Sequence, residues 1–290
     1  MIGLLKDGTV VVDSGPMLLT ISALEDGKPN STLAESGARK ALSLLEDLAR
    51  FRAIICQNIS RVENKTHYPK VVEKMITSAK QVGDPTVTPL VGVAGAVADE
   101  VADFVFNTEA ISKVIVNNGG DIAVRLRGEE KMKVGIKTDV RSERWSYVLE
   151  VDSNSNIGGI ATSGFGGRSF TKGIATAAVA VATNASFADV TATLLGNATN
   201  VDSPLIERQL AEDIYSATDI RGHWVTTKVG QISQSETEEA VENGLAKARE
   251  FQNRGLILGA LIALRREVRI TGTISLMISP AQLLENNRRI

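Results

Sequence analysis

Apolar residues recur at helical spacing through residues 32–50, where Leu33, Ala34, Ala38, Ala41, Leu42, Leu45 and Leu48 line one side. A second such segment runs over residues 69–83. It has proline near its start, Val72, Met75, Ile76 and Ala79 on one face, and Gly83 as a stop. Residues 92–106 are alanine-rich and apolar on nearly every side, which predicts a buried helix. Strand patterns frame this helical block. Residues 9–12 and 17–22 flank a Ser14-Gly15-Pro16 turn, and a polar loop follows at 25–31. After residue 110 the pattern turns β-rich, with predicted strands at 113–116, 122–126, 133–136, 147–151 and 173–182. A helix is expected at 186–195, irregular polar chain at 200–223 and a strand at 225–229. Ser235 with Glu238 three residues on reads as a capping box opening a helix that Gly255 ends. Strands at 256–264, 267–270 and 273–278 follow, and residues 285–290 read as a frayed tail. Helix-rich, then strand-rich, then helix and strand is the order of an α+β fold with layered sheets. No composition shift marks a boundary, so one domain over residues 1–290 is expected.

Composition narrows the functions open to such a fold. The chain has 290 residues, 43% hydrophobic and 23% charged, enough for a sizeable core. Its 32 basic and 34 acidic residues leave a net charge of -2. A nucleic-acid binder needs a basic surplus to displace counterions, and aromatics at 4% offer little to stack bases, so nucleic acid is excluded as a partner. One cysteine, Cys56, excludes intramolecular disulfides, multi-thiolate zinc and Fe–S clusters. With only His67 and His223 available, a bound metal would be held by oxygen. The longest apolar run, residues 256–264, is far short of the ~20 residues that span a membrane. No membrane association and a cytoplasmic location are the expectations.

Three segments could carry chemistry. Asn117-Asn118-Gly119-Gly120-Asp121 joins two predicted strands. It reads as a hairpin turn, because Asn-Gly favours positive φ, or as an anion nest where Asn117, Gly119, Gly120 and Asp121 meet a ligand. Thr162-Ser163-Gly164-Phe165-Gly166-Gly167-Arg168 gathers hydroxyls, glycine backbone and a guanidinium, a set that cradles phosphate. The alternative is a plain glycine loop with a solvated arginine. In Ala188-Asp189-Val190-Thr191-Ala192-Thr193, Asp189 and Thr193 lie four apart on a helix face, and a carboxylate with a hydroxyl suits magnesium. Ser186 with Asp189 equally fits an S-x-x-D cap of that same helix.

Taken in this order, the three segments resemble the ApbE-like superfamily, whose founding members are magnesium-dependent FAD:protein FMN transferases. The family's N-x-GGD turn, ATSG loop and ADALATAL-like helix are matched by 117–121, by Ala161-Thr162-Ser163-Gly164, and by the run from Ala188 to Leu195, most clearly over residues 90–200. Val93-Ala94-Gly95-Ala96-Val97-Ala98, Gly166-Gly167-Arg168-Ser169-Phe170 and Asp219-Ile220-Arg221-Gly222 resemble a branch set apart from the transferases. A similar module occurs in a ferredoxin-containing 6-hydroxynicotinate reductase.

The resemblance implies mainly antiparallel sheets in a T-fold-related α+β domain and a small phosphate-bearing ligand, FAD or FMN. It also implies magnesium on Asp189 and Thr193. Three departures separate the chain from the transferases. Phe170-Thr171-Lys172-Gly173 stands where they carry a Tyr-Ser-His segment ending in Asp-Pro. Gly92-Val93-Ala94-Gly95 stands where they have G-x-A-K-G, so the lysine is missing. Many transferases are exported lipoproteins, and no export signal is read here. Three functions stay open: a flavin-binding protein, an active FAD-dependent FMN transferase or related pyrophosphate enzyme, and a non-catalytic partner subunit of a reductase. The oligomeric state is open, a homodimer included.

Overall fold

The computed structural model describes residues 1–63 and 67–282. The chain opens with β1 (Ile2–Leu4), β2 (Val10–Ser14), β3 (Met17–Glu25) and a short β4 (Lys28–Pro29). Helices α1 (Ser31–Arg50), α2 (Arg52–Ile55), α3 (Lys70–Val82) and α4 (Val93–Phe106) follow. Then come β5 (Ile111–Asn118), β6 (Asp121–Leu126), β7 (Lys131–Ile136), β8 (Tyr147–Asp152), β9 (Gly159–Ser163) and β10 (Ala177–Ala182). Helix α5 (Ala185–Ala198), β11 (Ile206–Leu210), α6 (Ala211–Ile214), β12 (Trp224–Val229) and α7 (Gln234–Asn253) lead to β13 (Gly259–Leu264), β14 (Glu267–Gly272) and β15 (Ile278–Pro280). The α+β class is as expected, and every strand pair whose register is defined is antiparallel.

Two compact units share the chain, each drawn from three separate stretches. The first takes Met1–Glu130, Asp152–Ala161 and Ala182–Val190. Its sheet runs β1-β2-β3-β5-β6-β9, with β4 paired to β3. Along β3, Met17, Leu19, Ile21 and Ala23 are buried while Leu18 is exposed, the period-2 pattern of a sheet covered on one face. The cover includes α1, whose Ala34, Ala38, Ala41, Leu44 and Leu48 point inward. Helix α4 packs against β5 and β6 and also against α1 and α3. Contact on both sides explains why it is apolar almost all round.

The second unit takes Lys131–Val151, Thr162–Val181 and the chain from Thr191 onward. Strands β10, β13 and β14 pair in that order, and β10 and β13 are buried at every position. Helix α7 covers β13 and β14 with Ala240, Val241, Leu245, Ala248 and Phe251. Two small sheets, β11-β12 and β15-β8-β7, complete this unit.

Several expectations are corrected. Residues 200–223 are not irregular throughout. They contain β11 and α6, and β11 was hidden by its polar surface, since Glu207 and Gln209 face solvent. Residues 273–276 form a 3-10 turn rather than a strand, after Gly272 turns the chain at φ 82 and only Ile274 is buried. The capping box sits one pattern earlier. Ser233 Oγ accepts from Glu236 N at 3.2 Å, and the Glu236 carboxylate accepts from Ser233 N at 2.6 Å. The strand expected from residue 173 begins at Ala177. The proposed tail at 285–290 lies outside the described residues. Among the described residues, no helix is long and apolar enough to cross a membrane.

Candidate functional site

The 117–121 segment is a two-residue hairpin turn between β5 and β6, closed by the Asn118–Asp121 pair. Gly119 and Gly120 have φ of 68° and 115°, which side chains rarely tolerate, so the turn requires both glycines. Asn117 Oδ1 accepts from Gly120 N at 2.9 Å, so that backbone donor is already used within the turn. Asn118 is buried and donates from Nδ2 to the Ala94 carbonyl at 3.2 Å, tying the turn to the start of α4.

The start of α4 lacks a cap of its own, because the preceding residue is Gly92. Asp189, 94 residues further on, supplies one. Its carboxylate accepts from Gly95 N at 2.9 Å and from Ala94 N. The arrangement is reciprocal. Asp99 of α4 accepts from Ala185 N at 3.0 Å and Ser186 N at 2.9 Å at the start of α5. Asn184, directly before α5, accepts from Phe187 N at 2.9 Å and Ser186 Oγ at 3.0 Å. The S-x-x-D reading of Ser186 and Asp189 is therefore corrected. Asp189 caps α4, and Asn184 with Asp99 caps α5.

Small residues allow this crossing. A Cβ on Gly95 would overlap the Ala185 carbonyl and come within 2.8 Å of Asp189 Cβ, and one on Gly92 would lie 2.7 Å from Val190 Cγ2. Position 95 therefore has no room for a side chain. Gly95→Ala is expected to cost about 1–3 kcal/mol through overpacking. Urea denaturation would measure it, and an unchanged midpoint would contradict the close seating of α5 on α4.

A charged network lies behind the crossing. Arg125 of β6 pairs with Asp99 at 3.0 Å and Asp103 at 2.7 Å, and Nη1 donates to the Gly158 carbonyl at 3.0 Å. Lys74 of α3 pairs with Glu100 at 2.8 Å and Asp103 at 2.7 Å. Burial works to lower Lys74, yet its hydrogen bonds to Asp103 and Glu100 hold it above the ordinary lysine value. Burial likewise works to raise Asp103, and the charges of Arg125 and Lys74 with their hydrogen bonds hold it below the ordinary aspartate value. Asp189 moves the other way. Burial, then the negative charge of Asp121, push it well above 3.8, against the pull of the Gly95 and Ala94 N–H groups.

Asp99, Glu100 and Arg125 were not singled out from sequence. Their signal was present, since two adjacent acids interrupt the otherwise apolar 92–106 run. Charges in a fully buried helix need partners.

The glycine loop belongs to the second unit. Gly164 and Gly166 have φ of 155° and 87°. Phe165 N donates to the Ala175 carbonyl at 2.7 Å, and Gly167 N to the Gly164 carbonyl at 3.3 Å, which fixes the loop's shape. Thr162, Gly166, Gly167 and Arg168 are exposed, while Ser163 and Gly164 are half-buried. Thr193 is half-buried on α5, one turn beyond Asp189. Thus the first unit brings together Asn117, Gly119, Gly120, Asp121 and Asp189. The second holds Thr162, Ser163, Gly164, Gly166, Gly167, Arg168 and Thr193. Among the described residues, no three His, Cys, Asp or Glu side chains cluster as a metal site. Hard oxygen donors, two of them carboxylates, are what the turn and α5 offer.

A family model described as AbpE bacteria matches residues 2–270. The chain belongs to this family. The resemblance carried by the three ordered motifs is thereby shown. Curated relatives of the chain include a UPF0280 protein of Methanococcoides burtonii, 31% identical over 164 residues, covering 56% of this chain and 66% of that protein. A UPF0280 protein of Methanopyrus kandleri is 34% identical over 167 residues, covering 54% and 64%. The chain thus spans just under two thirds of the length of these relatives. Among solved structures, the chain is similar to the ApbE protein of Thermotoga maritima, with 14% identity, coverage of 96% and 99%, and a TM-score of 0.49. It is also similar to the flavinyl transferase ApbE of Pseudomonas stutzeri in its apo form, with 11% identity, coverage of 95% of each chain and a TM-score of 0.49.

Proposed function

We propose that this protein binds a flavin nucleotide, FAD or FMN, together with magnesium, and holds it without transferring FMN. The observation that carries the reading is the buried Asp189 carboxylate at the start of α4, to which the 117–121 turn is tied through Asn118 Nδ2 and the Ala94 carbonyl. Burial first, then the negative charge of Asp121, raises the Asp189 pKa. A hard cation relieves such repulsion, and magnesium accepts few protein ligands when phosphate oxygens and water complete its octahedron. Asp189 would serve as the ligand in the first unit, where Asp121 adds charge, and Thr193 offers its hydroxyl within the second. Each Asp189 oxygen has a second lone pair, so accepting from a backbone N–H does not preclude coordination. Within the second unit, the Thr162 and Ser163 hydroxyls, the 164–167 backbone and Arg168 form a donor set suited to phosphate oxygens.

Binding without transfer is favoured by position 95, which has no room for the family's lysine. The chain also has no histidine in the 170–173 segment. When bound, magnesium would neutralise charge on the ligand's phosphates.

The test is a calorimetric titration of FAD with magnesium or with a chelator, on the wild type and on Asp189→Ala. Wild-type binding is expected only with magnesium, and Asp189→Ala is expected to lose at least tenfold in affinity. Thermal melts must accompany it, because Asp189→Ala also removes the α4 cap at a cost of about 1 kcal/mol. Equal FAD binding with and without magnesium, matched by the folded variant, would make Asp189 a cap alone.

A further inference from the structure

In the second unit, residues 137–146 join β7 to β8 and present Trp145 with 56% of its surface exposed. This ring is not a loosely attached side chain. Its indole lies flat against Gly135 of β7, where a Cβ would come within 2.7 Å of Cε3 and 2.9 Å of Cε2. Position 135 must therefore stay glycine for the ring to keep this seat. Lys137, two residues along the same strand direction, sets its Nζ 5.3 Å from the ring centroid. The next residue is fixed on several sides. Ser146 N donates to the Ile136 carbonyl at 2.8 Å, Ser146 Oγ lies 2.8 Å from Thr138 Oγ1, and the Ser146 carbonyl accepts from Ala281 N at 3.1 Å.

The same connection reaches the glycine loop. Val140 Cγ1 lies 3.4 Å from where a Gly166 Cβ would stand, so the two loops touch. Trp145 is thus a large, pre-positioned aromatic surface on a loop that borders the segment assigned to phosphate. A rigid ring with one face seated on backbone and much of its surface open can stack a planar ligand ring at little entropic cost.

We propose that Trp145 is a ligand-stacking residue. It takes the planar heteroaromatic ring of a phosphate-bearing ligand whose phosphates lie on the 162–168 loop. This rests on the flavin-nucleotide reading above. That ligand class offers two such rings, isoalloxazine and adenine, and the stacking chemistry is common to both. Gly135 and Lys137 act as positioning residues for the indole.

The experiment uses Trp224→Phe, which leaves Trp145 as the single tryptophan. Emission is followed while FAD, FMN or ADP is added with magnesium, and affinities are measured by calorimetry on this protein and on the same background carrying Trp145→Ala or Trp145→Phe. Saturable quenching is expected, with a loss of about five- to hundredfold in affinity for Trp145→Ala and near-complete retention for Trp145→Phe. Quenching by FAD and FMN but not ADP identifies isoalloxazine as the stacked ring. Quenching by FAD and ADP but not FMN identifies adenine. If flavin binds and Trp145→Ala, folded by thermal melt, binds it as well as its parent, the stacking role is overturned while the flavin reading stands. If none of the three ligands binds, both fall together.

Discussion

Asp99→Ala is expected to destabilise the protein by about 3–5 kcal/mol, because it breaks a buried ion pair from one side. Asp99 is fully buried. It takes two N–H groups at the start of α5 and one guanidinium N–H of Arg125. Alanine strands the two backbone donors of α5 and leaves Arg125, only 17% exposed, with Asp103 as its remaining carboxylate partner. Total stabilities of about 5–15 kcal/mol make this a large fraction of the whole. Asp99→Asn keeps one acceptor and should lose less. Adding Arg125→Met to Asp99→Ala removes the other half of the same ion pair, so the double variant should be less unstable than the sum of the two single changes. Urea unfolding at neutral pH followed by circular dichroism gives all four numbers. A loss below 1 kcal/mol for Asp99→Ala would show that α5 does not depend on this cap.

What could be read from the sequence depended on whether the signal was local. Helices α1, α3 and α4 were legible because apolar spacing and the Gly83 stop are properties of neighbouring residues. The 117–121 turn was legible for the same reason, since Asn-Gly-Gly carries its own backbone preference. Strand β11 was not, because its alternation is weak and its stability comes from pairing with β12. Asp189 marks the boundary clearly. Spacing suggested a cap on its own helix, yet its partner is the start of α4, 94 residues away. No local pattern encodes that distance. The family resemblance identified the residue by motif order, and only the fold shows what its carboxylate touches. Residues such as Asp99 and Arg125 fall between these cases. Their burial was readable from the apolar run around Asp99, whereas their pairing required the register of β6 against α4.

The contribution of Asp189 to stability is expected to fall as pH rises, and magnesium is expected to remove that fall. The folded pKa lies well above the ordinary value of 3.8, through burial first and then the charge of Asp121 on β6, with Asp99 on α4 adding to it. Between 3.8 and that raised value the folded protein keeps a proton that the unfolded chain has released. More protons are then bound to the folded state than to the unfolded one, so stability declines with pH, at a limiting slope of about 1.4 kcal/mol per pH unit. Asp103 has the opposite sign. Its pKa is lowered by Arg125 and Lys74 against the effect of burial, so its contribution is present above 3.8 and is lost as pH falls below it. Asp189→Asn separates the two, because it removes the first effect and leaves the second. Urea unfolding of wild type and Asp189→Asn at intervals from pH 4.5 to 8 should give curves that diverge, the variant gaining on the wild type as pH rises. A cation at the Asp189 carboxylate binds the charged form, competes with the proton and should flatten the wild-type curve while leaving Asp189→Asn unchanged. Asp121→Asn should narrow the pH range over which the wild-type curve falls, since it removes the neighbouring charge. Parallel curves for wild type and Asp189→Asn would mean that the α4 N–H groups outweigh burial and Asp121, leaving Asp189 ionised throughout this range as an ordinary helix cap.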